Sequence, residues 1–170
     1  MGPMESVDDV IARLRDWIEP LGRSESVPVL ESVGRVLAMP VAAPRDVPFA
    51  PLSLFDGYAV AGPLTDGERC TVVGKQFAGD PPARLEPGTA MRIFTGALLP
   101  AGADTVIAQE SVELDGERAR WMADVPRGDG VRQAGADTRE GETLIEAGTR
   151  VTTAMLGLIA STGLAEVTVS

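Results

Sequence analysis

The sequence PVAAPRDVPFAPLSLFDGYAV, residues 40–60, marks a change from one kind of structure to another. It contains the prolines Pro40, Pro44, Pro48 and Pro51. Each proline fixes its own φ and pushes the preceding residue toward extended geometry. We therefore predict a stiff crossing between two substructures rather than a flexible linker. The crossing ends in Asp56 and Gly57, which stand between Phe55 and Tyr58 in a segment that otherwise resembles a buried strand.

The segment before the crossing begins with a helical pattern. SVDDVIARLRDWI, residues 6–18, has apolar residues at helical spacing, with Ser6 as the predicted N-cap and two aspartates in the positively polarised first turn. Pro20 and Gly22 are expected to end this helix. We also expect Trp17 and Trp121 to be packing anchors. Residues 27–41 then predict a short strand, one turn and a second extended piece.

The segment after the crossing has the pattern of a β structure. Between residues 57 and 125, short apolar runs alternate with Gly, Pro and Asp turn signals, which predicts a sandwich or barrel. LDGE, residues 114–117, predicts a hairpin because Asp-Gly suits the left-handed positions of a tight turn.

TREGETLIEAGTRV, residues 138–151, predicts two β-like runs divided by Gly, and residues 152–170 predict a helix followed by a strand. Thr152 or Thr153 suits the N-cap, and Gly163 stands where a helix end favours a left-handed residue. Met155, Leu158 and Ile159 are expected to face inward. The predicted fold class is mainly β with a helical flank.

The composition excludes several classes of function. Lys plus Arg total 15 against 25 for Asp plus Glu, and the net charge of −10 disfavours a nucleic-acid partner. The absence of histidine excludes Ser-His-Asp catalysis and zinc sites of the usual type. The single cysteine, Cys70, indicates a reducing compartment and is expected to be a small core residue. Since no apolar run approaches the ~20 residues that span a bilayer, we expect a cytoplasmic protein without a membrane partner.

Three motifs together resemble a known family. LSLFDGYAV, then RIFTGALLPAGAD, then RQAGADTREGETLIEAGTRV lie within residues 34–169. In that order they resemble the N-terminal region of the MoeA family, the molybdopterin molybdenumtransferases, whose eukaryotic relative is the E domain of gephyrin.

This resemblance implies a domain organisation and an activity. Residues 1–43 and 141–170 would form an elongated first domain, interrupted by a β-rich barrel-like or sandwich-like second domain at 44–140. Full-length members continue into a molybdopterin-binding third domain and a small fourth domain, expected to follow residue 170. The implied activity inserts molybdate into adenylylated molybdopterin with Mg²⁺, in a homodimer whose cleft joins the second domain of one subunit to the third domain of its partner. The chain by itself would be a fragment without catalysis.

The resemblance also implies site residues, each beside a simpler alternative. Asp56 would be catalytic and a metal ligand, since hard cations select oxygen ligands, but Asp56-Gly57 is also an ordinary turn sequence. Thr95 would be catalytic and Gly96 would contact substrate, with a hydroxyl and exposed amides holding an oxyanion, although a strand-to-turn connection explains both equally well.

A third motif and one lysine complete the set of candidates. Asp137 would be catalytic and Arg132 would hold an anionic ligand, the alternative being a solvated loop. Gly57 would let the backbone bend so that Asp56 enters a cleft, and Lys75 would contact an anion or simply face solvent. The sequence departs from the family pattern at Leu52, Phe55, Gln133, Ala134 and Ala136.

Two other functions compete with the transferase fragment. A non-catalytic dimerisation or scaffolding module, related to the gephyrin E domain, would use the same fold without chemistry. A carboxylate hydrolase would need a second acid to act with Asp56, and no acid stands at a suitable spacing.

Overall fold

A computed structural model describes residues 5–19 and 22–170, and the chain forms two units that are discontinuous in sequence. One unit combines the residues up to Ala42 with Thr143–Ser170, and the other is Ala43–Glu142. The helices are α1 (Val7–Trp17) and α2 (Thr153–Ser161). The strands are β1 (Glu25–Pro28), β2 (Val41–Ala42), β3 (Leu52–Ser53), β4 (Gly57–Val60), β5 (Arg69–Gln76), β6 (Thr89–Ile93), β7 (Thr105–Ala108), β8 (Val112–Asp115), β9 (Arg118–Trp121), β10 (Val131–Arg132), β11 (Thr143–Ile145) and β12 (Glu166–Val169). The protein is therefore mainly β with few helices.

Helix α1 has the predicted position and an unexpected exposure. The Ser6 hydroxyl accepts a hydrogen bond from the Asp9 amide at 3.2 Å, which confirms the N-cap. The predicted stop at Pro20 lies outside the described residues. The expectation that Trp17 packs inside was wrong, because 72% of its surface is exposed and the Arg13 guanidinium lies over its ring at 5.8 Å. Helical spacing of apolar residues does not reveal what they pack against.

The discontinuous unit has its core between paired strands and α2. Strand β1 pairs antiparallel with β12, and β2 pairs antiparallel with β11. Ile159 of α2 is fully buried in this core and Met155 packs against it, as predicted. Leu158 is 42% exposed and was predicted wrongly. Leu156 packs inward instead, because Leu158 lies about 110° around the helix from the centre of the buried face.

The C-terminal end of α2 follows the predicted pattern. Gly163 has φ 87° directly after the C-cap residue Thr162. A positive φ at this position is the left-handed geometry that glycine adopts without a steric penalty.

The continuous unit contains one six-stranded, curled half-barrel sheet with the strand order β7-β4-β6-β5-β9-β8. Strands β5 and β6 are parallel, and the other neighbours are antiparallel. A sandwich was one of the two predicted forms, but in the described residues the only other ladder between strands of this unit is the short β3–β10 pair. Trp121 is 1% exposed and packs with Tyr58, so its predicted role as an anchor is confirmed.

The predicted hairpin joins β8 to β9. Asp115 pairs with Arg118, which leaves Gly116 and Glu117 as the two turn residues. Gly116 has φ 62°, the positive value that a type II′ turn requires at its first central position. Asp115 therefore closes the ladder and does not occupy a left-handed position.

Cys70 is half-buried beside the core of this unit. Burial raises the pKa of its thiol, which donates a hydrogen bond to the Gly88 carbonyl at 3.0 Å. Across residues 5–19 and 22–170, neither helix has the length and apolar character needed to cross a membrane.

Candidate functional site

The ends of four neighbouring strands lie side by side at one end of the six-stranded sheet, and we call this row of strand ends the Asp56 edge. Gly57, the first residue of β4, pairs with Ile93 near the end of β6 and with Ala108 at the end of β7. The end of β5 joins the same edge, since Gln76 pairs with Ile93. The residues just outside these strands, Asp56 among them, are therefore brought together.

Asp56 and Thr95 form a direct pair at this edge. The Oδ1 atom of Asp56 accepts the Thr95 backbone N–H at 2.9 Å and the Thr95 hydroxyl at 2.8 Å. Among the hydrogen bonds of the described residues, none reaches Oδ2. Asp56 is half-buried and Thr95 is exposed. One carboxylate oxygen is thus fixed by Thr95 and the other remains accessible.

The electrostatics of the pair favour the ionised carboxyl. The backbone hydrogen bond from Thr95, the hydroxyl bond from Thr95 and the charge of Arg92 together hold the pKa of Asp56 below its usual range. Asp56 is therefore a carboxylate at neutral pH, and the Thr95 oxygen, whose proton points to Asp56, presents lone pairs.

Gly57 lies at a close contact between β4 and β7. A Cβ at this position would lie 2.1 Å from the Ile107 carbonyl oxygen, and its φ is not in the left-handed region. The residue is buried, and its carbonyl accepts a hydrogen bond from Arg92 at 2.9 Å. Gly57 thus brings β7 close to β4 beneath Asp56.

Gly96 is exposed and forms the turn that follows Thr95, with φ 77°. Its amide donates to the Ser53 carbonyl at 2.9 Å, and the Ala97 amide donates to the Phe94 carbonyl at 2.9 Å. Since the Thr95 amide is bonded to Asp56, none of these three amides is free for an oxyanion.

The third motif forms its own ion pair. Arg132 donates to the Asp137 carboxylate, both side chains are partly exposed, and the Asp137 amide donates to the Val47 carbonyl at 2.9 Å. In the described part of the chain no hydrogen bond links Asp137 to Asp56 or Thr95. The Arg132 guanidinium is therefore already paired with the Asp137 carboxylate.

Lys75 lies on β5 directly opposite Arg92 of β6, and its side chain is exposed. The two side chains border a groove of about 320 Å³ that Tyr58 and Phe94 also line. Lys75 thus stands beside the sheet edge that carries Asp56, while its charge faces solvent.

Three residues outside the predicted site support the backbone around Asp56. The Ser53 hydroxyl donates to the Phe55 carbonyl at 2.6 Å and holds the turn before Asp56. The Gln109 amide donates to the Asp56 carbonyl at 3.1 Å, and Arg92 bonds both Gly57 and Gln109.

The departure at Leu52 leaves the backbone of the site paired. Leu52 pairs with Arg132 in the β3–β10 ladder, and the neighbouring Ser53 amide donates to the Ala97 carbonyl at 2.9 Å. Phe55 packs against the core of the unit. The position of Asp56 therefore does not depend on a polar side chain at residue 52.

The donor set at Asp56 fits one kind of metal site. Over residues 5–19 and 22–170, no three Cys, Asp or Glu side chains come together to hold a metal ion. Mg²⁺ is commonly held by one or two carboxylates and completes its shell with water and substrate oxygens. The free Asp56 oxygen and the Thr95 hydroxyl fit Mg²⁺ shared with a substrate and do not fit a closed protein cage.

The family is shown by a model that covers most of the chain. Residues 5–163 match the MoeA N-terminal region (domain I and II). The chain belongs to the MoeA family. The expectation drawn from the three motifs is thereby confirmed.

Relatives within the MoeA family are similar along almost the whole chain. A molybdopterin molybdenumtransferase of Haemophilus influenzae is 33% identical over 167 residues, which cover 96% of this chain and 41% of the relative. One from Synechococcus elongatus is 37% identical over 153 residues, covering 85% and 38%. The crystal structure of a molybdopterin biosynthesis moeA protein from Pyrococcus horikoshii OT3 superposes with a TM-score of 0.83 at 28% identity, over 96% of this chain and 45% of that one. The chain thus spans about two fifths of the relatives it matches.

Proposed function

We propose that this chain is the N-terminal part of an enzyme that inserts molybdate into adenylylated molybdopterin. Its relatives are named molybdopterin molybdenumtransferase. The observation on which the proposal depends is the Asp56 carboxylate, with one oxygen fixed by Thr95 and the other accessible at the sheet edge.

The charge of this site determines what can bind there. Molybdate is an anion and a lone carboxylate repels it, so Asp56 requires a cation between itself and an oxyanion. Mg²⁺, held by the free Asp56 oxygen and the Thr95 hydroxyl, would supply positive charge to substrate oxygens. Lys75 is the cationic candidate for a second contact, since Arg132 is paired with Asp137 and Arg92 bonds Gly57 and Gln109.

The domain assignment follows the two units. We assign the discontinuous unit to the first domain and Ala43–Glu142 to an inserted second domain, close to the boundaries 1–43, 44–140 and 141–170 expected from the sequence. In this proposal a molybdopterin-binding third domain of a partner subunit completes the cleft. Asp56, Thr95 and Asp137 would face the metal-insertion end, with Gly57 and Gly96 shaping the backbone beneath them.

A titration followed by NMR tests the proposal. We expect Mg²⁺ to shift the side-chain carbon of Asp56 and the amide of Thr95, and molybdate to shift them only when Mg²⁺ is present. Asp56→Asn should abolish both responses because the amide removes the charge. Asp115→Asn, an exposed hairpin aspartate, is the matched control and should leave them unchanged. No change at either residue in the unaltered chain would refute the proposal.

The half-site assignment has a separate test. The purified chain, supplied with molybdate, Mg²⁺ and adenylylated molybdopterin, is expected to transfer no molybdenum, because the second wall of the cleft would come from another domain. Transfer by the chain alone would contradict the assignment.

A non-catalytic dimerisation module is a second candidate, favoured by the exposed apolar side chains of α1, among them Val7, Leu14 and Trp17. We expect a homodimer in sedimentation velocity that dissociates on Leu14→Glu. A monomer at all concentrations would exclude this candidate.

A further inference from the structure

Arg92 reaches from β6 across β4 toward the end of β7. Its Nη1 donates to the Gly57 carbonyl at 2.9 Å, and its Nη2 donates to the Gln109 side-chain oxygen. The sheet order places β4 between β6 and β7. One guanidinium therefore connects the three strands whose ends form the Asp56 edge.

Gln109 closes this connection on the other side of Asp56. Its backbone N–H donates to the Asp56 carbonyl at 3.1 Å, while its side chain accepts from Arg92. The carbonyls of Asp56 and Gly57 are consecutive in the chain, so the two peptide groups that flank the Gly57 Cα are both held. We call this ring of contacts the Arg92–Gln109 bracket.

Aromatic rings fix the plane of the guanidinium. The Arg92 group lies 5.1 Å from the centroid of Tyr58 and 4.7 Å from that of Phe94. Phe94 in turn stacks on Phe77 with centroids 4.7 Å apart and planes at 6°. Cation–π contacts and a planar fork of donors are properties of arginine that lysine cannot reproduce together.

We propose that Arg92 and Gln109 are positioning residues that fix the backbone of Asp56, so that its free carboxylate oxygen keeps one direction while Thr95 holds the other. The consequence for ligands rests on the proposed function. The bracket itself requires only the described contacts. Arg92 acts here through the backbone of Asp56, since two of its five N–H donors are engaged by the Gly57 carbonyl and the Gln109 side chain.

The test uses the Thr95 amide as a local signal. Its proton bonds the Asp56 carboxylate, so its chemical shift and hydrogen exchange report how well that carboxylate is held. Arg92→Met and Arg92→Lys should both move this proton upfield and accelerate its exchange about fivefold, the effect of losing one hydrogen bond locally. Arg118→Met, on β9 of the same sheet, is the control and should have no effect.

A second pair of variants removes any ambiguity from misfolding. Gln109→Met removes the acceptor and should reproduce the Arg92→Met signal, whereas Gln109→Glu retains the acceptor and should keep the Thr95 amide as in the unaltered chain. Fluorescence of the buried Trp121, measured in a Trp17→Phe background, shows whether each variant folds.

The outcomes separate the bracket from the proposed function. A Thr95 amide unaffected by Gln109→Met in a folded protein would overturn the bracket. If Mg²⁺ does not perturb the unaltered chain, the proposed function fails, while the bracket is still decided by Thr95 alone. If Mg²⁺ does bind, Gln109→Met should weaken it by about the same fivefold factor and Gln109→Glu should not.

Discussion

Replacing Gly57 with alanine tests the closest backbone approach in the six-stranded sheet. The new Cβ would stand 2.1 Å from the Ile107 carbonyl oxygen, 3.0 Å from its carbonyl carbon and 3.0 Å from the Val106 side chain. To lengthen the first contact from 2.1 Å to 3.0 Å, β4 and β7 must separate locally by about 0.9 Å. A displacement of that size takes ladder hydrogen bonds beyond the usual range of about 2.7–3.2 Å.

We expect Gly57→Ala to lower the free energy of unfolding of the continuous unit by about 3 kcal/mol, the upper end of overpacking costs, because the obstruction is backbone and cannot rotate away. With a urea slope of about 2 kcal/mol per molar, the midpoint should fall by about 1.5 M. Trp121 fluorescence, measured in a Trp17→Phe background, reports this unit specifically since Trp121 is buried within it.

Gly74→Ala is the matched control for Gly57→Ala. Gly74 lies in β5 of the same sheet, its φ is not positive, and an added Cβ would meet only the Met91 methyl at 3.8 Å. The midpoint of Gly74→Ala should stay close to that of the unaltered chain. If Gly57→Ala were no less stable than Gly74→Ala, the reason given for the glycine in this motif would be refuted.

Three further predictions concern other contacts. Gly157→Ala should raise the stability of the discontinuous unit by about 0.5–1 kcal/mol in thermal melts, because Gly157 lies inside α2 with open space at its Cβ; a loss of stability would contradict this. Asp104→Asn should cost about 1–2 kcal/mol above pH 5, since it removes the charge that pairs with Arg127 at 2.6 Å. Burial raises the pKa of Asp104, but hydrogen bonds from Arg127, Gly62 and Thr105 outweigh burial and lower this pKa in the folded protein. The stabilisation by Asp104 is therefore present above the pKa that Asp104 has in the unfolded chain, and it is lost as the pH falls through its pKa in the folded protein. Identical pH profiles of stability for Asp104→Asn and the unaltered chain would refute this. Thr95→Val should raise the pKa of Asp56 toward its ordinary value by removing the hydroxyl bond, as measured from its side-chain carbon shift, whereas an unchanged pKa would show that the hydroxyl contributes nothing.

Local sequence signals predicted local structure well. Ser6, which precedes apolar residues at helical spacing, predicted the start of α1. Asp115-Gly116 predicted the hairpin, and Gly163 predicted the end of α2. Each of these three features depends on the backbone preferences of adjacent residues, which can be read directly from the sequence. Exposure was less predictable, as Trp17 and Leu158 illustrate, because it depends on which distant surface covers a helix face.

Predicting the candidate site needs both local motifs and the long-range pairing of strands. Asp56 and Thr95 were each proposed from a motif, but they lie 39 residues apart in the sequence and their contact depends on the pairing of β4 with β6. Nothing local indicated that the amides around Gly96 are already bonded, or that Arg92 bonds the Gly57 carbonyl. Long-range strand pairing determines these contacts, and propensities of single residues do not encode it.

The first and last residues of the continuous unit lie side by side. The Ala43 amide donates to the Glu142 carbonyl at 2.9 Å, and the Gly141 amide donates to the Ala43 carbonyl at 2.8 Å. Once this segment has folded, its two ends are tethered as closely as those of a tight turn, so β2 and β11 can pair without the conformational entropy loss of closing a long flexible loop. Insertions at such a junction are thermodynamically inexpensive, and a segment with joined ends is suited to independent folding and to transfer between scaffolds.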